Sequence, residues 1–370
     1  MIGDGPFVGT LPLRFPQFDH LHLYEGLHGR TLNISFSNVK PFTLGEFRRA
    51  LPRDLSLDWT DPDGSEELRR LIAKRHGVPA DHVLVTVGAT EANFLVNAAL
   101  VGPGDRVVVD SPTYSPLRDC PRGFGATIVS VERGWRDGWP LDLDRLGRAL
   151  RRRTRLLVLA NLNNPTSAAT PRDELREIAD LSSERGTTVL VDETFREAAF
   201  EEAPPTAARL GAHMISISTV TKFYGLGALR VGWIVAEPEL LRRLRGVKDY
   251  TTVGGSLLGQ TLATWALRRH GFFARRARTI LDRNREQARE ALEGIPGLEG
   301  EVPSIGTVMF PRARVPVDKL SGLLLRRYGT VIAPGRFFGM KDHFRIGLGG
   351  DPADLGRGLK HLARAVSELT

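Results

Sequence analysis

Seven short apolar runs, separated by helix-length amphipathic segments, constrain the fold of this chain more than any other feature of its sequence. The runs lie between residues 82 and 236 and read HVLVTVG, DRVVVDSP, ATIVSVE, TRLLVLANLNNP, TTVLVDETF, HMISIS and LRVGWIVA. Their continuous apolar character, bounded by Gly, Pro or Asp, is typical of strands buried on both faces. Strands that alternate with helices build a doubly wound α/β sheet, which binds ligands at the carboxyl ends of its strands. The sequence therefore predicts a mostly parallel seven-stranded sheet with a ligand site along one edge.

Chain length indicates more than one domain. A chain of 370 residues is long for a single core and predicts a large domain with a smaller one attached. We expect an irregular N-terminal arm over residues 1–45, a large α/β domain over 46–245 and a small α+β domain over 246–370. Within these domains, residues 63–77 predict a capped helix, and residues 262–293 predict a long helix that is broken or kinked near Gly271.

Charge and composition exclude several classes of partner. The net charge of +8 and the arginine-rich segments at 148–155 and 242–245 raise the possibility of nucleic-acid binding. However, the arginines alternate with Glu and Asp on predicted helix faces, which favours a solvated surface, so we expect no nucleic-acid partner. His20, His22 and His28 lack the Cys or carboxylate cluster that would complete a metal site, and no metal is predicted.

The cellular location is predicted from three features. The single cysteine, Cys120, cannot form an internal disulfide, which favours a reducing compartment. No apolar run reaches the length of a membrane span, and residues 1–18 lack the basic start and apolar block of a signal peptide. We therefore expect a cytoplasmic protein with no membrane partner.

The segment STVTKFYGLGALRVG, residues 218–232, carries the strongest chemical signal. Lys222 lies in a loop between two predicted strands, with the hydroxyls of Thr219 and Thr221 before it and Arg230 after it. Hydroxyls and a planar guanidinium are groups that hold a phosphate. An amine beside a phosphate site points to a Schiff base with pyridoxal 5′-phosphate (PLP), whose ring serves as an electron sink. The alternative is a surface lysine with a structural arginine.

The same segment resembles the signature of the class I/II aminotransferases, PLP enzymes of fold type I, which reads S-x-[ST]-K-x-x-G-x-x-G-x-R-x-G. The resemblance covers roughly residues 30–365. It implies fold type I, with Lys222 as the catalytic lysine and with Thr219, Thr221 and Arg230 at the cofactor phosphate. It also implies a homodimer with sites at the subunit boundary and an N-terminal arm that crosses the active-site mouth.

Three other strand ends match cofactor-binding positions of that family. Gly88, Ala89 and Thr90 end one strand and open a helix, where free backbone N–H groups favour a phosphate. The resemblance implies that Tyr114, in SPTYSPL, stacks on the cofactor ring. It also implies that Asn164, in NLNNPTS, hydrogen-bonds the phenolic oxygen of the cofactor.

Asp192 ends the apolar strand of VLVDETF. A buried carboxylate is costly unless it is paired, and a protonated pyridine nitrogen would pair with it and keep the ring an electron sink. The alternative is a helix cap. Phe195 stands where the family usually has a Tyr that donates to the phenolic oxygen. We therefore expect a higher pKa for the lysine–cofactor Schiff base than in Tyr-bearing relatives.

The resemblance also places three residues at the substrate. Arg345, in HFRIGLG, matches the Arg that forks onto the substrate α-carboxylate. Asn38 stands where the family often has Gly near that carboxylate, and Trp59 stands where many members carry a Tyr that reaches the phosphate of the other subunit. The expected lining of the side-chain pocket is aromatic and polar, with no second arginine for a dicarboxylate: Phe15, Phe18, Tyr24, Asn38, Trp59 and Phe338.

Together these residues predict a PLP-dependent enzyme that acts on the Cα of an amino acid. Aminotransfer to a 2-oxo acid is favoured because it is the commonest activity of the family. A lyase or cyclase of specialised metabolism, such as a C–S β-elimination enzyme acting on a cysteine conjugate, is the alternative that the departures at Asn38, Trp59 and Phe195 motivate. A PLP-binding sensor without catalysis is more remote, because no helix-turn-helix pattern precedes the predicted fold.

Overall fold

The computed structural model describes residues 15–23, 31–47, 50–52, 54–151 and 153–370. Its helices are α1 Asp19–His22, α2 Glu66–His76, α3 Gly88–Leu100, α4 Ser115–Gly123, α5 Leu143–Ala149, α6 Arg172–Glu184, α7 Pro238–Lys248, α8 Leu257–Arg268, α9 His270–Gly294, α10 Val317–Tyr328 and α11 Pro352–Leu369. Its strands are β1 Leu32–Asn33, β2 Val83–Thr86, β3 Arg106–Ser111, β4 Thr127–Glu132, β5 Thr154–Ala160, β6 Thr188–Asp192, β7 Met214–Thr219, β8 Gly232–Val235, β9 Leu298–Glu299, β10 Val308–Met309, β11 Arg312–Ala313, β12 Thr330–Val331, β13 Ala333–Pro334 and β14 Phe344–Gly347.

The seven apolar runs form one seven-stranded sheet in the order β2-β8-β7-β6-β5-β3-β4. Strand β8 pairs antiparallel with both β7 and β2, and the other neighbours are parallel. The predicted mostly parallel sheet is confirmed. The strand order reverses between β3 and β5, because β4 lies outside β3 while β5 and the strands after it lie on the other side. Such a switch point opens a crevice at the strand ends, where ligands bind.

Helices cover both faces of this sheet, which explains the continuous apolar runs. In β3, Val107 and Val109 pack into a core with α3, α4 and α7, whereas Val108 packs with α5 and α6 on the opposite face. All three valines are buried, and each buried side chain of this size contributes about 1.5 kcal/mol. Because neither face meets water, no polar alternation is needed.

The remaining strands belong to small sheets outside the seven-stranded one. The arm strand β1 pairs in parallel with β12, so the N-terminal segment joins the C-terminal part of the chain. Strand β14 is the middle strand of a sheet with β10 and β13. The domain boundaries given above stay predictions.

Two predicted helices are present in the structure, although Ser65 at the start of α2 makes no side-chain capping hydrogen bond. Helix α2 ends at Gly77, whose φ of +65° is the left-handed conformation that favours glycine at a helix end. The predicted break in the long helix lies at Arg269, between α8 and α9. No helix in the ranges that the structure describes combines the length and the apolar character needed to cross a membrane.

Candidate active site

The carboxyl ends of the strands surround a pocket of about 170 Å³. Every predicted cofactor-binding residue except Gly88 lies in its wall. The lining comprises Ala89, Thr90, Asn93, Tyr114, Pro116, Leu117, Asn164, Asp192, Thr194, Phe195, Thr219, Thr221, Lys222 and Arg230. Residues up to 141 positions apart in the chain therefore meet at one edge of the sheet.

One end of the pocket is built to hold an anion. Helix α3 begins at Gly88, directly after β2, and its first N–H groups have no partner within the helix. The Arg230 guanidinium lies against this turn, with Nη2 3.4 Å from the carbonyl of Val87. The hydroxyls of Thr219 and Thr221 are 2.9 Å apart and face the same space.

Gly88 is required at this turn for two reasons. Its φ is +77°, and a Cβ at this position would lie 2.4 Å from Nη2 of Arg230. Any larger residue would displace the guanidinium from the anion site. Although Gly88 is outside the pocket wall, it therefore shapes the phosphate end.

The wall of the pocket also contains the carboxylate of Asp192. Asp192 ends β6, and its Oδ1 accepts a hydrogen bond from the backbone N–H of Thr194 at 2.9 Å. Burial raises the pKa of Asp192, while hydrogen bonding from Thr194 and the charge of Lys222 oppose the rise. A half-buried carboxylate of this kind favours a cationic partner, which a protonated pyridine nitrogen supplies.

Lys222 is half-buried in the loop after β7, where it lines the pocket. Burial, reinforced by Arg345, lowers its pKa to about 8, and Asp192 acts in the opposite sense. Its Nζ donates to Oγ of Ser37 at 3.0 Å and lies 5.9 Å from the centre of the Phe195 ring. An amine with a pKa near neutrality is both a better nucleophile and a better base at physiological pH than an ordinary lysine.

Arg345 is 3% exposed and adjoins the pocket through Asn164. Its Nη1 donates to Oδ1 of Asn164 at 3.0 Å, and its Nη2 donates to the carbonyl of Ser35 at 2.9 Å. Nη2 also lies 3.4 Å from Nε2 of His20. Burial, Arg345 and Lys222 together lower the pKa of His20 to about 2, so this imidazole is neutral. Arg345 is thus held in place by groups from three separate segments.

The described part of the arm contacts the wall of the pocket at Tyr114. Phe18 packs edge-on against Tyr114 at 5.7 Å between ring centres. Phe338 lies 5.0 Å below the guanidinium of Arg345, whereas Phe15 packs against Phe124 and is half exposed. Two residues named above, Tyr24 and His28, lie outside the described residues.

None of the three predicted substrate residues lines this pocket: Arg345 adjoins it, whereas Asn38 and Trp59 line other cavities. The Asn38 side chain donates to the carbonyl of Val39 and lines a different cavity. Successive side chains of an extended segment point in opposite directions, so the neighbouring Ser37 reaches the lysine instead. Trp59 is 85% exposed and lines a separate cavity with residues 254–257.

Sequence reasoning missed three contributors to the site. Ser37 precedes Asn38 in the chain, and Thr194 follows Asp192 by two residues. Nearness in sequence to these two predicted site residues was the only signal that could have indicated them. His20 was considered only as a metal ligand. The described ranges contain no cluster of three or more His, Cys, Asp or Glu side chains arranged to bind a metal.

An anion site at a helix N-terminus, a half-buried amine and a half-buried carboxylate in one pocket of a doubly wound sheet fit PLP, and they define a PLP enzyme of fold type I. The chain belongs to the aminotransferase class I and II family, whose model matches residues 48–362. Its cofactor is therefore PLP, as predicted.

This chain is similar in sequence and structure to enzymes of more than one activity. It is 33% identical to capreomycidine synthase from Streptomyces vinaceus over 340 residues, 88% of this chain and 87% of that protein. It is 31% identical to histidinol-phosphate aminotransferase from Symbiobacterium thermophilum over 294 residues, 78% of each. Among solved structures, a PLP-dependent aminotransferase from Streptococcus suis superposes with a TM-score of 0.91 at 27% identity, covering 97% of this chain and 99% of that one. The PLP-dependent cyclase OrfR superposes with a TM-score of 0.89 at 29% identity, covering 98% and 100%.

The Phe195→Tyr substitution is expected to lower the pKa of the bound PLP chromophore by about 1, because a phenolic donor would stabilise the deprotonated form. Phe195 is buried in the pocket wall, so the new hydroxyl would lie within it. A spectrophotometric titration of the loaded protein measures this pKa. Phe200→Tyr adds a hydroxyl outside the pocket and serves as the control. An unchanged or higher pKa in Phe195→Tyr would contradict the expectation.

Proposed function

We propose that this enzyme transfers the amino group of an α-amino acid to a 2-oxo acid. The observation that carries the proposal is that Lys222 and Asp192 line one pocket, while Arg345 is hydrogen-bonded to Asn164 in the wall of the same pocket. Chemistry at Cα requires a base for the Cα proton, a carboxylate that pairs with the cofactor ring nitrogen and a cation that binds the substrate carboxylate. The family membership supports the same reaction.

Each of these side chains has a separate task in the proposed mechanism. Arg345 binds the substrate α-carboxylate in a planar fork, and Asn164 and the Ser35 carbonyl orient that fork before substrate arrives. The bound PLP supplies an electron sink for the electron pair left at Cα. The Lys222 amine takes the proton from Cα of the substrate. It later delivers a proton to the cofactor carbon that receives the amino group. Asp192 holds the ring nitrogen protonated, which maintains the sink.

The arm completes the site by excluding water. Phe18 and His20 cover Tyr114, and His20 also stacks on Phe337 at 5.3 Å between ring centres. A dry site strengthens the attraction between Arg345 and a carboxylate, because charge interactions grow as the local dielectric falls. The neutral His20 adds no positive charge that would compete with Arg345 for the substrate.

The Arg345→Gln substitution is expected to lower kcat/KM for amino acids by about 10²-fold, because hydrogen bonds to a charged group contribute about 1.5–3 kcal/mol each. Reaction with an amine that lacks the α-carboxylate should change little. Steady-state kinetics with an amino acid and its decarboxylated analogue measure the difference. Arg312→Gln removes an arginine that lies outside the pocket and serves as the control. An equal loss for both substrates in Arg345→Gln would contradict the assignment.

A cyclisation is the second candidate. The similarity to capreomycidine synthase and to the cyclase OrfR favours it. Both reactions begin with loss of the Cα proton, so they share Lys222, Asp192 and Arg345. Mass spectrometry of the product distinguishes them, because aminotransfer replaces the amino group with an oxo group whereas cyclisation retains the amine nitrogen.

We also propose that the enzyme is a homodimer. Large apolar side chains are exposed near the phosphate end of the pocket, on the segments around Trp59 and Tyr250. They are Leu57, Trp59, Tyr250, Val253 and Leu258. A partner subunit would bury this patch and bring its own Trp59 near the phosphate, as the family resemblance implies. The cytoplasm is the proposed location, because a single, partly buried cysteine suits a reducing compartment.

The Trp59→Asp substitution is expected to shift the protein toward monomers, because it places a charge in an apolar interface. Light scattering after size exclusion should give twice the chain mass of 40.8 kDa for the wild type and a smaller mean mass for the variant. Phe272→Asp, at an exposed position on α9, is the control and should leave the mass unchanged. A monomeric wild type would contradict the proposal.

A further inference from the structure

The hydroxyl of Ser37 accepts a hydrogen bond from Nζ of Lys222 at 3.0 Å. Ser37 is 4% exposed, so its side of this contact is shielded from water. We propose that Ser37 is a positioning residue for the reaction, which holds the Lys222 amine in the pocket whenever that amine is not bonded to the cofactor. The proposal rests on the proposed function, to which it adds the group that orients the base.

The position of Ser37 is fixed by its surroundings. Its backbone carbonyl accepts a hydrogen bond from Oγ1 of Thr307 at 2.6 Å. The same segment runs against β14 so closely that a Cβ at Gly347 would lie 1.7 Å from the carbonyl oxygen of Phe36. The Ser37 hydroxyl is therefore attached to a backbone that has little room to move.

This segment holds Lys222 at both ends. The N–H of Val39 donates to the backbone carbonyl of Lys222 at 2.9 Å, while Ser37 binds the amine at the tip of the side chain. A lysine side chain loses about 2 kcal/mol of conformational entropy when it is fixed. Because two contacts from one segment fix it in advance, the freed amine does not have to search for its reactive position during catalysis.

A hydroxyl suits this task because it can both accept and donate a hydrogen bond. Ser37 accepts from Lys222 as an ammonium and can donate to the same nitrogen as a neutral amine, so the contact survives the proton transfer. A carboxylate in its place would favour the ammonium and weaken the base. The titratable and charged groups that face Lys222 are Asp192, Arg230, Arg345 and His20.

The first test uses cofactor-free protein. The rate at which acetic anhydride modifies Lys222, followed against pH by peptide mass spectrometry, gives the pKa of the free amine. In Ser37→Ala the ammonium loses an acceptor, so we expect this pKa to fall by about 0.5. Ser37→Thr keeps the hydroxyl and should match the wild type. Ser182→Ala, which truncates a buried serine on α6, is the control.

The second test uses PLP-loaded protein and an amino acid deuterated at Cα. In Ser37→Ala we expect kcat to fall about tenfold with little change in KM, since orientation of the base is impaired rather than substrate binding. The isotope effect on kcat should rise, because proton transfer becomes slower relative to other steps. Ser37→Thr should restore both values.

These outcomes separate the proposal from its premise. An unchanged Lys222 pKa together with an unchanged isotope effect in Ser37→Ala would overturn the role of Ser37. If Ser37→Ala fails to fold by circular dichroism, Ser37→Cys provides the same comparison with a weaker acceptor of similar size. If the wild type reacts with no amino acid, the proposed function fails, whereas the measurement on cofactor-free protein still decides whether Ser37 holds the amine.

Discussion

Replacement of Lys222 by Ala is expected to lower kcat by at least about 10³-fold with every amino donor, because one amine both bonds the cofactor and moves the Cα proton. The pocket has no other lysine in its wall among the described residues. Steady-state kinetics measure the loss. Borohydride reduction followed by peptide mass spectrometry should attach PLP to the peptide that contains Lys222 in the wild type and leave that peptide unmodified in the variant.

One further variant separates the chemistry of Lys222 from its charge, and another serves as the control. Lys222→Arg keeps a cation but has no nucleophilic amine, and we expect it to be as inactive as Lys222→Ala. Lys360→Ala removes an exposed lysine on α11 and should leave kcat unchanged. Retention of more than about a tenth of the wild-type kcat in Lys222→Ala would exclude Lys222 as the base.

The Asp192→Asn substitution is expected to lower kcat by about 10²–10³-fold, because the ring nitrogen loses the charge that keeps it protonated. The fold should not suffer. Burial raises the pKa of Asp192, which means that the ionised carboxylate carries a cost in this environment, and a neutral amide of the same shape avoids that cost. The rate of exchange of the Cα hydrogen in heavy water, followed by NMR, isolates the affected step.

The control for this variant is Asp142→Asn. Asp142 caps α5 on the surface, and its loss should affect stability slightly and kcat not at all. Thermal unfolding of both variants shows whether an activity change has a structural origin. A wild-type exchange rate in Asp192→Asn would contradict the role of this carboxylate.

The sequence was sufficient to predict the sheet and the group of residues at its edge. Strands buried on both faces have an unmistakable apolar signature, as the three buried valines of β3 illustrate. Because parallel strands end at the same edge, Asn164 after β5, Asp192 at the end of β6 and Lys222 after β7 had to lie near one another. Their proximity follows from topology rather than from side-chain detail.

The arm was harder to predict because it has no such regularity. In the extended segment that contains Ser37 and Asn38, a register difference of one residue decides which side chain faces the lysine, and nothing in the sequence fixes that register. His20 reaches Arg345 although 325 positions separate them in the chain. Contacts of this kind depend on how separate elements pack, which a local pattern does not encode.

The most direct test of the proposed aminotransfer is a single-turnover experiment with PLP-loaded protein and a panel of amino acids in the absence of any 2-oxo acid. Cofactor absorbance, ammonia and the product are followed together. We predict that at least one amino acid converts the cofactor stoichiometrically to its amine form, with an equivalent amount of 2-oxo acid and no ammonia. Multiple turnovers that leave the aldehyde form of the cofactor intact, with ammonia or a cyclic amino acid as product, would contradict the account.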